Sequence, residues 1–441
     1  MPHTDSDIVY FADIALQKLK SLGVNTAEIS LSQASGFSVT ARLGDVETME
    51  HHLDKNFSVT VIQDYCTGSA SSSDFSQAAI FSAIEKACSI ASFSNPDSFA
   101  GLADPTRFAK NIPDCDLYHP WTITPTEAIK LAVACEKKAL SFDKRICNSE
   151  GASVSTLNSQ AVYANTLGFL GEYRVTEHGM HCSVVAIEDG KMQRDDEYTV
   201  TRNPKNLSSI DFIARSAAEK TIKRLGARRI KTQTCSVIFE ASVAKSLLRA
   251  FVQAISGSSL YRQSSFLLNA IGQPIFPKHI NIFQQPHLLS AMGSVPFDAE
   301  GVAVVDQHYI RDGELVSYVL GSYSARKLGL QSTGNAGGVF NLSINSTEPS
   351  LQALFKKMDR GLFVTELMGQ GVNITTGDYS RGAAGFWIEQ GEIQFPVEEV
   401  TIAGNLKSIF SGIIAIANDV DIRGSIRTGS ILIDKMTVAG D

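Results

Sequence analysis

Apolar residues recur along the first part of the chain in two different periods. Residues 7–22 carry one every three or four positions, which predicts an amphipathic helix that ends at Gly23. The next stretch alternates between apolar and polar positions, with Gly44-Asp45 as a hairpin turn. It predicts a strand meander over residues 28–31, 37–43, 46–51 and 57–62.

Helix-start signals place two further helices. Asp74 is the predicted N-cap of the first, and residues 94–124 are expected to be an irregular connector. Thr124-Pro125-Thr126-Glu127 then combines a capping box with a proline at the first helical position, so a helix should run from there to about residue 142. Strands are predicted after it at residues 152–163, 172–187 and 191–199.

The domain boundary is predicted where a helix over residues 210–225 ends at Gly226 and a basic linker, residues 227–231, begins. We interpret the charge of this linker as that of a solvated hinge. Beyond it the pattern is rich in strands, with a hairpin around Gln390-Gly391. The other predicted strands are 235–239, 280–283, 302–310, 314–319 and 431–438, and the helices are 243–255, 350–360 and 406–417.

These elements predict an α+β protein of two domains. Residues 1–226 would form an N-terminal domain in which a mixed sheet is covered by helices. Residues 227–441 would form a strand-rich, antiparallel or barrel-like C-terminal domain. A length of 441 residues agrees with two domains, because it exceeds what one core usually supports.

Composition excludes several classes of protein. No apolar run approaches the roughly 20 residues of a membrane helix, and the N-terminus lacks the pattern of a secretory signal, so we expect a cytoplasmic protein without membrane contact. The seven cysteines are scattered and never spaced as Cys-x-x-Cys, which favours reduced thiols. A net charge of −7 without a basic block argues against nucleic acid as a partner.

The densest run of glycine and small polar residues is 365–400. A glycine-permissive loop from Gly369 leads there into the predicted hairpin, an arrangement that can bring backbone close to a ligand or peptide. The alternative is that the glycines serve only turns and tight strand crossings. The polar residues that could line a groove for substrate or partner are Asn373, Asp378, Tyr379, Ser380 and Arg381.

The same run resembles the C-terminal signature of the TldD/PmbA family of bacterial proteins. The matching segments are residues 373–382, with Thr376-Gly377-Asp378-Tyr379-Ser380-Arg381-Gly382, and residues 386–393, 42–48, 148–152 and 331–338. The family is associated with a metal-dependent peptidase. Within it, the chain is closer to the PmbA (TldE) branch than to the metal-binding TldD branch.

The resemblance also implies which positions of this chain correspond to the zinc ligands of the TldD branch. In the TldD branch a His-Glu-x-x-x-His motif lies on a helix that aligns with residues 248–253, here Leu248-Arg249-Ala250-Phe251-Val252-Gln253. Two histidines and a glutamate would be needed to hold zinc and deprotonate its water. A third family ligand, a C-terminal cysteine, falls near Asn418. We therefore expect no metal in this chain and zinc in a TldD-like partner subunit.

The resemblance implies that the chain helps a TldD-like subunit to cleave unfolded or extended peptides, as in peptide-antibiotic maturation or antitoxin degradation. Arg381 would hold a peptide carbonyl or carboxylate through its planar fork, with Tyr379 stacking beside it. Alternatively, Arg381 pairs with Asp378 and only stiffens the loop.

Two other functions stay open at this point. The chain could be an independent hydrolase that works as a homodimer, with a site built from His178, His181 or Ser380. However, His178 and His181 are predicted to point to opposite faces of a strand, which prevents them from sharing one ion. It could also be a non-catalytic regulatory adaptor. The residues alone identify no catalytic group.

Overall fold

The computed structural model describes residues 8–440, and its first half is built on one six-stranded sheet. The strand order is β3-β2-β1-β4-β5-β6, and every pairing in it is antiparallel. The strands are β1 Ala27–Arg42, β2 Asp45–Gln63, β3 Cys66–Ser72, β4 Ile146–Asn165, β5 Leu170–Glu188 and β6 Lys191–Thr201.

Two pairs of helices cover one face of this sheet: α1 Ile8–Ser21 with α2 Gln77–Phe93, and α3 Pro125–Leu140 with α4 Ile210–Lys223. Alternate side chains of the long strands supply both cores. Ile29 and Leu31 of β1 pack against α1 and α2, whereas Phe37 and Val39, farther along the same face, pack against α3 and α4. The opposite face is left for contact with the second half of the chain.

The predicted meander of short strands is wrong in detail, because its segments fuse into two long strands. Polar residues between Leu31 and Phe37 interrupt the apolar pattern, but the backbone there stays paired with both neighbours. Gly36 permits this crossing, since a Cβ there would lie 2.0 Å from the carbonyl oxygen of Thr156. Strand β3 is small and polar, and the sequence pattern did not indicate it.

Helix caps in this half give one confirmation and one correction. The capping box is confirmed, with Thr124 Oγ1 accepting from the Glu127 N–H and the Glu127 carboxylate accepting from the Thr124 N–H. The cap of α2 is Ser76, whose hydroxyl accepts from the Ala79 N–H. Asp74 instead accepts from the Ser76 N–H and lies two residues too early to be the cap.

The second half contains a closed barrel and a smaller five-stranded sheet. Strands β14-β13-β12-β7-β17 are neighbours in one sheet, and β14 also pairs with β17, which closes it; β15 extends it from β17. The other sheet has the order β10-β9-β8-β11-β16. The elements are β7 Gln233–Phe239, α5 Ala241–Ala254, α6 Gly257–Tyr261, β8 Ile282–Gln284, β9 Gln307–Arg311, β10 Glu314–Leu315, α7 Ser322–Leu328, β11 Leu342–Ile344, α8 Leu351–Met358, β12 Gly361–Met368, β13 Asp378–Glu389, β14 Glu392–Asn405, α9 Leu406–Ser411, β15 Ile413–Ile416, β16 Ile426–Arg427 and β17 Ile431–Ala439.

The α+β, barrel-like prediction is confirmed, but several element bounds differ. The predicted strands 302–310 and 314–319 shorten to β9 and β10. The predicted helix 406–417 stops at Ser411 because Gly412 ends it, and the following residues pair with β17 as β15. Strand β12, between β7 and β13, was missed. It begins at Gly361, where a Cβ would lie 2.2 Å from the Ser236 carbonyl oxygen.

The basic linker is not a solvated hinge. Ala227 and Ile230 are buried, and the Arg228 N–H donates to the Pro396 carbonyl oxygen at 3.2 Å. The Arg228 guanidinium also lies over the Phe395 ring, 3.6 Å from its centroid. The linker is therefore held against β14, and the boundary at residue 226 stays a prediction. No helix within residues 8–440 has the length and apolarity that a membrane span requires.

Candidate functional site

The glycine loop before β13 packs against this chain's own strand. The Ser380 N–H donates to the Gly371 carbonyl oxygen at 2.7 Å. A Cβ on residue 371 would lie 1.8 Å from the Ser380 carbonyl oxygen, so only glycine fits. The backbone at Gly371 is thus close to another segment of the same chain. This agrees, at Gly371, with the alternative interpretation that the glycines serve turns and tight strand crossings.

The predicted groove residues divide between two faces of β13. Asp378 and Ser380 are exposed on one face, whereas Tyr379 is 2% exposed and lies in the barrel core with Arg381 on the same face. The expectation that Tyr379 stacks on a peptide at the surface is therefore corrected. The structure brings Tyr379 and Arg381 together and separates them from the others.

Asn373 and Asp378 shape the loop. The Asn373 side-chain oxygen accepts from the N–H groups of Thr375 and Thr376, and the Asp378 carboxylate accepts from the Thr376 hydroxyl at 2.6 Å and from the Asn405 amide at 3.3 Å. Asp378 is therefore not the partner of Arg381, and the alternative in which these two pair is wrong. Within residues 8–440, Arg381 has no carboxylate at ion-pair distance.

Tyr379 and Arg381 instead form a cluster with Ser246 of α5, which we name the α5–β13 cluster. The Tyr379 hydroxyl and Arg381 Nε are both buried, and neither has a hydrogen-bond partner among the described residues. Burial raises the pKa of Tyr379 to about 12, while Arg381 and Ser246 lie near enough to oppose that rise. Two strong donors are thus left unused.

One face of α5 continues this polar surface. Ser242, Ser246, Arg249 and Gln253 follow one another at helical spacing, and Arg249 and Gln253 are exposed. A guanidinium and a hydroxyl with free hydrogens can donate to a carbonyl or a carboxylate. Leaving such groups buried and unpaired costs free energy, which a ligand acceptor would offset.

The residues of α5 do not fit a zinc ion. Leu248, Ala250 and Phe251 are buried in the barrel core, and the exposed Arg249 and Gln253 carry no imidazole, carboxylate or thiolate. Throughout residues 8–440, no three His, Cys, Asp or Glu side chains come together as a possible metal site. Asn418, near the position of the family cysteine, is exposed.

The structure does not assemble the alternative hydrolase site. His178 is fully buried, with Nδ1 2.9 Å from the Thr156 hydroxyl and Nε2 donating to the His119 carbonyl oxygen, and burial lowers its pKa. His181 lies on the other face of β5, 3.3 Å from Asp196, which confirms the predicted opposite faces. In the described part of the chain, the Ser380 hydroxyl has no hydrogen bond to a histidine.

Sequence reasoning missed a buried ion network between the two halves. Lys245 and Arg423 both pair with Asp421, at 2.7 and 3.0 Å, and Arg423 also reaches Glu197 of β6 at 2.8 Å. Lys220 of α4 pairs with Glu197 at 2.9 Å. No local signal could have revealed this network, because its members lie in β6, α4, α5 and the loop before β16.

A cleft of about 350 Å³ between the halves was also missed. It is lined by Ser30 and Tyr163 of the sheet and by Phe297 and Asp298 of the second half. The Asp298 carboxylate accepts from three backbone N–H groups, but burial outweighs them and raises its pKa to about 6. Tyr163 of this cleft donates its hydroxyl hydrogen to the Glu28 carboxylate at 2.8 Å.

The fold and the site define an α+β protein with a helix-flanked barrel and a donor-rich polar cluster between α5 and β13. Models of the PmbA/TldA metallopeptidase family match the chain in three parts: domain 1 at residues 27–91, the central domain at 118–225 and the C-terminal domain at 232–440. The chain belongs to this family.

Curated relatives agree with this membership. The metalloprotease PmbA of Escherichia coli O157:H7 is 45% identical over 414 residues, which cover 94% of this chain and 92% of that protein. The PmbA homolog of Haemophilus influenzae is 42% identical over 94% of this chain and 92% of its own length. A TldD homolog of Buchnera aphidicola is 22% identical over 84% of the chain and 80% of its own length.

Solved structures share the whole fold. A Bacteroides thetaiotaomicron protein, solved as a candidate modulator of DNA gyrase, is 26% identical with a TM-score of 0.93, covering 99% of this chain and 100% of that one. TldE from Thermococcus kodakarensis is 21% identical with a TM-score of 0.84, covering 97% and 100%. The second likeness concerns the fold alone.

Proposed function

We propose that the chain is the PmbA/TldE-like component of a two-subunit metalloprotease that cleaves unfolded or extended peptides. A TldD-like subunit supplies the zinc ion and the glutamate base. The observation that carries this proposal is the α5–β13 cluster, where Tyr379 and Arg381 keep free donors beside a helix without metal ligands.

The role of this chain is then to position the peptide. The partly exposed Arg381 guanidinium would hold a peptide carbonyl or C-terminal carboxylate, and the buried Tyr379 hydroxyl would lie behind it as a neighbour of Arg381. Ser246 and Arg249 would continue the polar surface along α5. Zinc in the partner would lower the pKa of a bound water to make it a nucleophile. The proposal includes a cytoplasmic location, which the seven free cysteines favour.

Peptidase assays on an unfolded peptide test this role. The chain alone and a TldD-like partner alone should each be weak, and their mixture active. Arg381→Ala should lower the activity of the mixture about 10- to 100-fold, as expected for loss of a charged hydrogen bond. The control is Arg215→Ala, at an exposed position of α4, which should leave activity unchanged. Full peptide cleavage by an assembled Arg381→Ala complex would refute the positioning role.

Metal analysis tests the division of labour separately. After dialysis the chain alone should hold no stoichiometric zinc, whereas the active mixture should hold about one zinc per pair of chains. About one zinc ion bound by this chain alone, and lost when His178 or His181 is replaced, would instead support the independent hydrolase.

A further inference from the structure

Strand β2 has a long uncovered edge. Its inner side pairs with β1 along its whole length, but β3 covers its outer side only from Phe57 to Gln63. Residues 45–56, which we name the free edge, have no strand on that side within the described chain. Such an edge presents unpaired N–H and C=O groups and can template the pairing of another strand.

The register shows which residues face outward. The Ile62 N–H donates to the Thr26 carbonyl oxygen at 2.9 Å, so the even-numbered residues of β2 direct their backbone groups to β1. Odd-numbered residues therefore direct theirs outward, from Lys55 to Met49, where a bulge opposite Thr40 and Ala41 interrupts the alternation. An incoming strand must pair with these odd-numbered positions.

We propose that the free edge binds the same edge of a second copy of this chain, antiparallel, with a two-fold axis at His51. A ladder centred there pairs residues 48–54 of the two copies, which lie between the bulge at Glu47 and Phe57, where β3 begins. The centre is also an outward-facing odd position, so the hydrogen bonds of the two edges match.

The side chains are self-complementary in this register. Met49, 45% exposed, would lie opposite Leu53 of the second copy, 67% exposed, and the axis makes this apolar contact twice. Both lie on the face where His51 contacts the Phe37 ring. On the other face Glu50 would meet His52. Glu47 lies at the bulge and pairs with Arg42 of its own chain at 3.2 Å, so the ladder ends before it.

The neighbouring registers that keep odd positions opposite odd positions are poorer. Moving the axis to His52 places Glu50 opposite Asp54, a like-charge pair. Moving it to Glu50 places Glu47 opposite Leu53 and separates Met49 from Leu53. The sequence of the free edge therefore favours the axis at His51.

Light scattering over a dilution series tests this dimer on the chain purified alone, whatever its peptidase role. Glu50→Lys should raise the dimer dissociation constant about tenfold, because both copies then oppose lysine to histidine. Adding His52→Glu to the same chain should restore it by reversing the pair. Met49→Lys should weaken the dimer similarly, whereas Met192→Lys, at an even more exposed methionine of β6, should not.

Circular dichroism checks that each variant is folded. The changes are at exposed positions of β2 or β6 except for His52, which is half-buried. A chain that is monomeric at every concentration would overturn the proposal. So would a dimer that survives both Glu50→Lys and Met49→Lys, or one that Met192→Lys weakens as much. If the free edge pairs only with a TldD-like chain, the second copy is the wrong occupant.

Discussion

Two polar regions of the second half differ in whether their polar groups have partners within the described chain. In the network at the contact between the halves, Asp421, Lys245 and Arg423 satisfy one another. In the α5–β13 cluster, the Tyr379 hydroxyl and the Arg381 Nε–H are buried and have no hydrogen-bond partner within residues 8–440. Both regions flank α5, so their place in the fold does not explain why one is paired and the other is not.

We interpret this difference as one between a structural role and the ligand-binding role proposed above for Arg381. Burial alone would raise the pKa of Asp421, but hydrogen bonds from Arg423 and Lys245 lower it to about 2, so the charges stabilise one another. Within residues 8–440, Arg381 has no carboxylate that could stabilise it in this way. Replacing a network residue should therefore lower stability, whereas replacing a cluster residue should lower activity.

The largest expected effect comes from breaking the network. Asp421→Ala leaves the partly buried Lys245 without a carboxylate and Arg423 with Glu197 alone, and the free energy of unfolding should fall by about 3 kcal/mol. Denaturant unfolding measures it. The control is Asp434→Ala, at a carboxylate that is 54% exposed, which should change stability little. Equal stability of the two variants would show that the network does not hold the halves together.

Asp298 adds a third case to the comparison of paired and unpaired polar groups. It is a buried carboxylate that has no cationic side chain as an ion-pair partner within residues 8–440. Its folded pKa of about 6 exceeds the unfolded value of 3.8, so the folded state binds more protons between these values and loses stability as pH rises. Asp298→Asn removes this proton linkage. From pH 4 to pH 7, the variant should gain roughly 3 kcal/mol relative to the parent. A stability difference that does not change with pH would contradict the raised pKa.

The smallest expected effect concerns a single hydroxyl. Tyr379→Phe removes an unpartnered buried group, so stability should rise by up to about 1 kcal/mol while activity of the reconstituted complex falls. The matched control is Tyr309→Phe. Tyr309 is also fully buried, but its hydroxyl bonds to Gln284 and Gln307 at 2.8 Å, so this change should cost about 1–2 kcal/mol. If both variants lose the same stability, the Tyr379 hydroxyl has a partner after all.

Local chemistry accounts for what could be predicted of the fold. The Thr124 box and the turn at Gln390-Gly391, with φ of 54° and 69°, depend on neighbours in sequence, and both occur as predicted. The long strands did not follow from the pattern, because residues 32–36 are polar and are held extended by β2 and β4. Serine and aspartate are both residue types that can cap a helix, so the sequence allowed either Ser76 or Asp74. The cap is Ser76 because it directly precedes the first residue of α2.

The sequence predicted which residues belong to the candidate site but not how they are arranged in space. The run from Asn373 to Arg381 was identified, but strand alternation sends Asp378 and Ser380 away from Tyr379 and Arg381. The nearness of Ser246 to Tyr379 joins α5 to a strand more than a hundred residues later. The ion network, Asp298 and the free edge are likewise absent from any local pattern.

The sequence by itself determined the fold class, the family and the lack of metal ligands on α5, because these depend on residue types and short-range spacing. Only the tertiary structure decided which polar groups are paired. Hydrogen bonds and ion pairs depend on distances between elements that barrel closure and the packing of the two halves bring together. An arginine therefore stabilises the fold at Arg423, where it pairs with Asp421, whereas the Nε of Arg381 has no partner within residues 8–440.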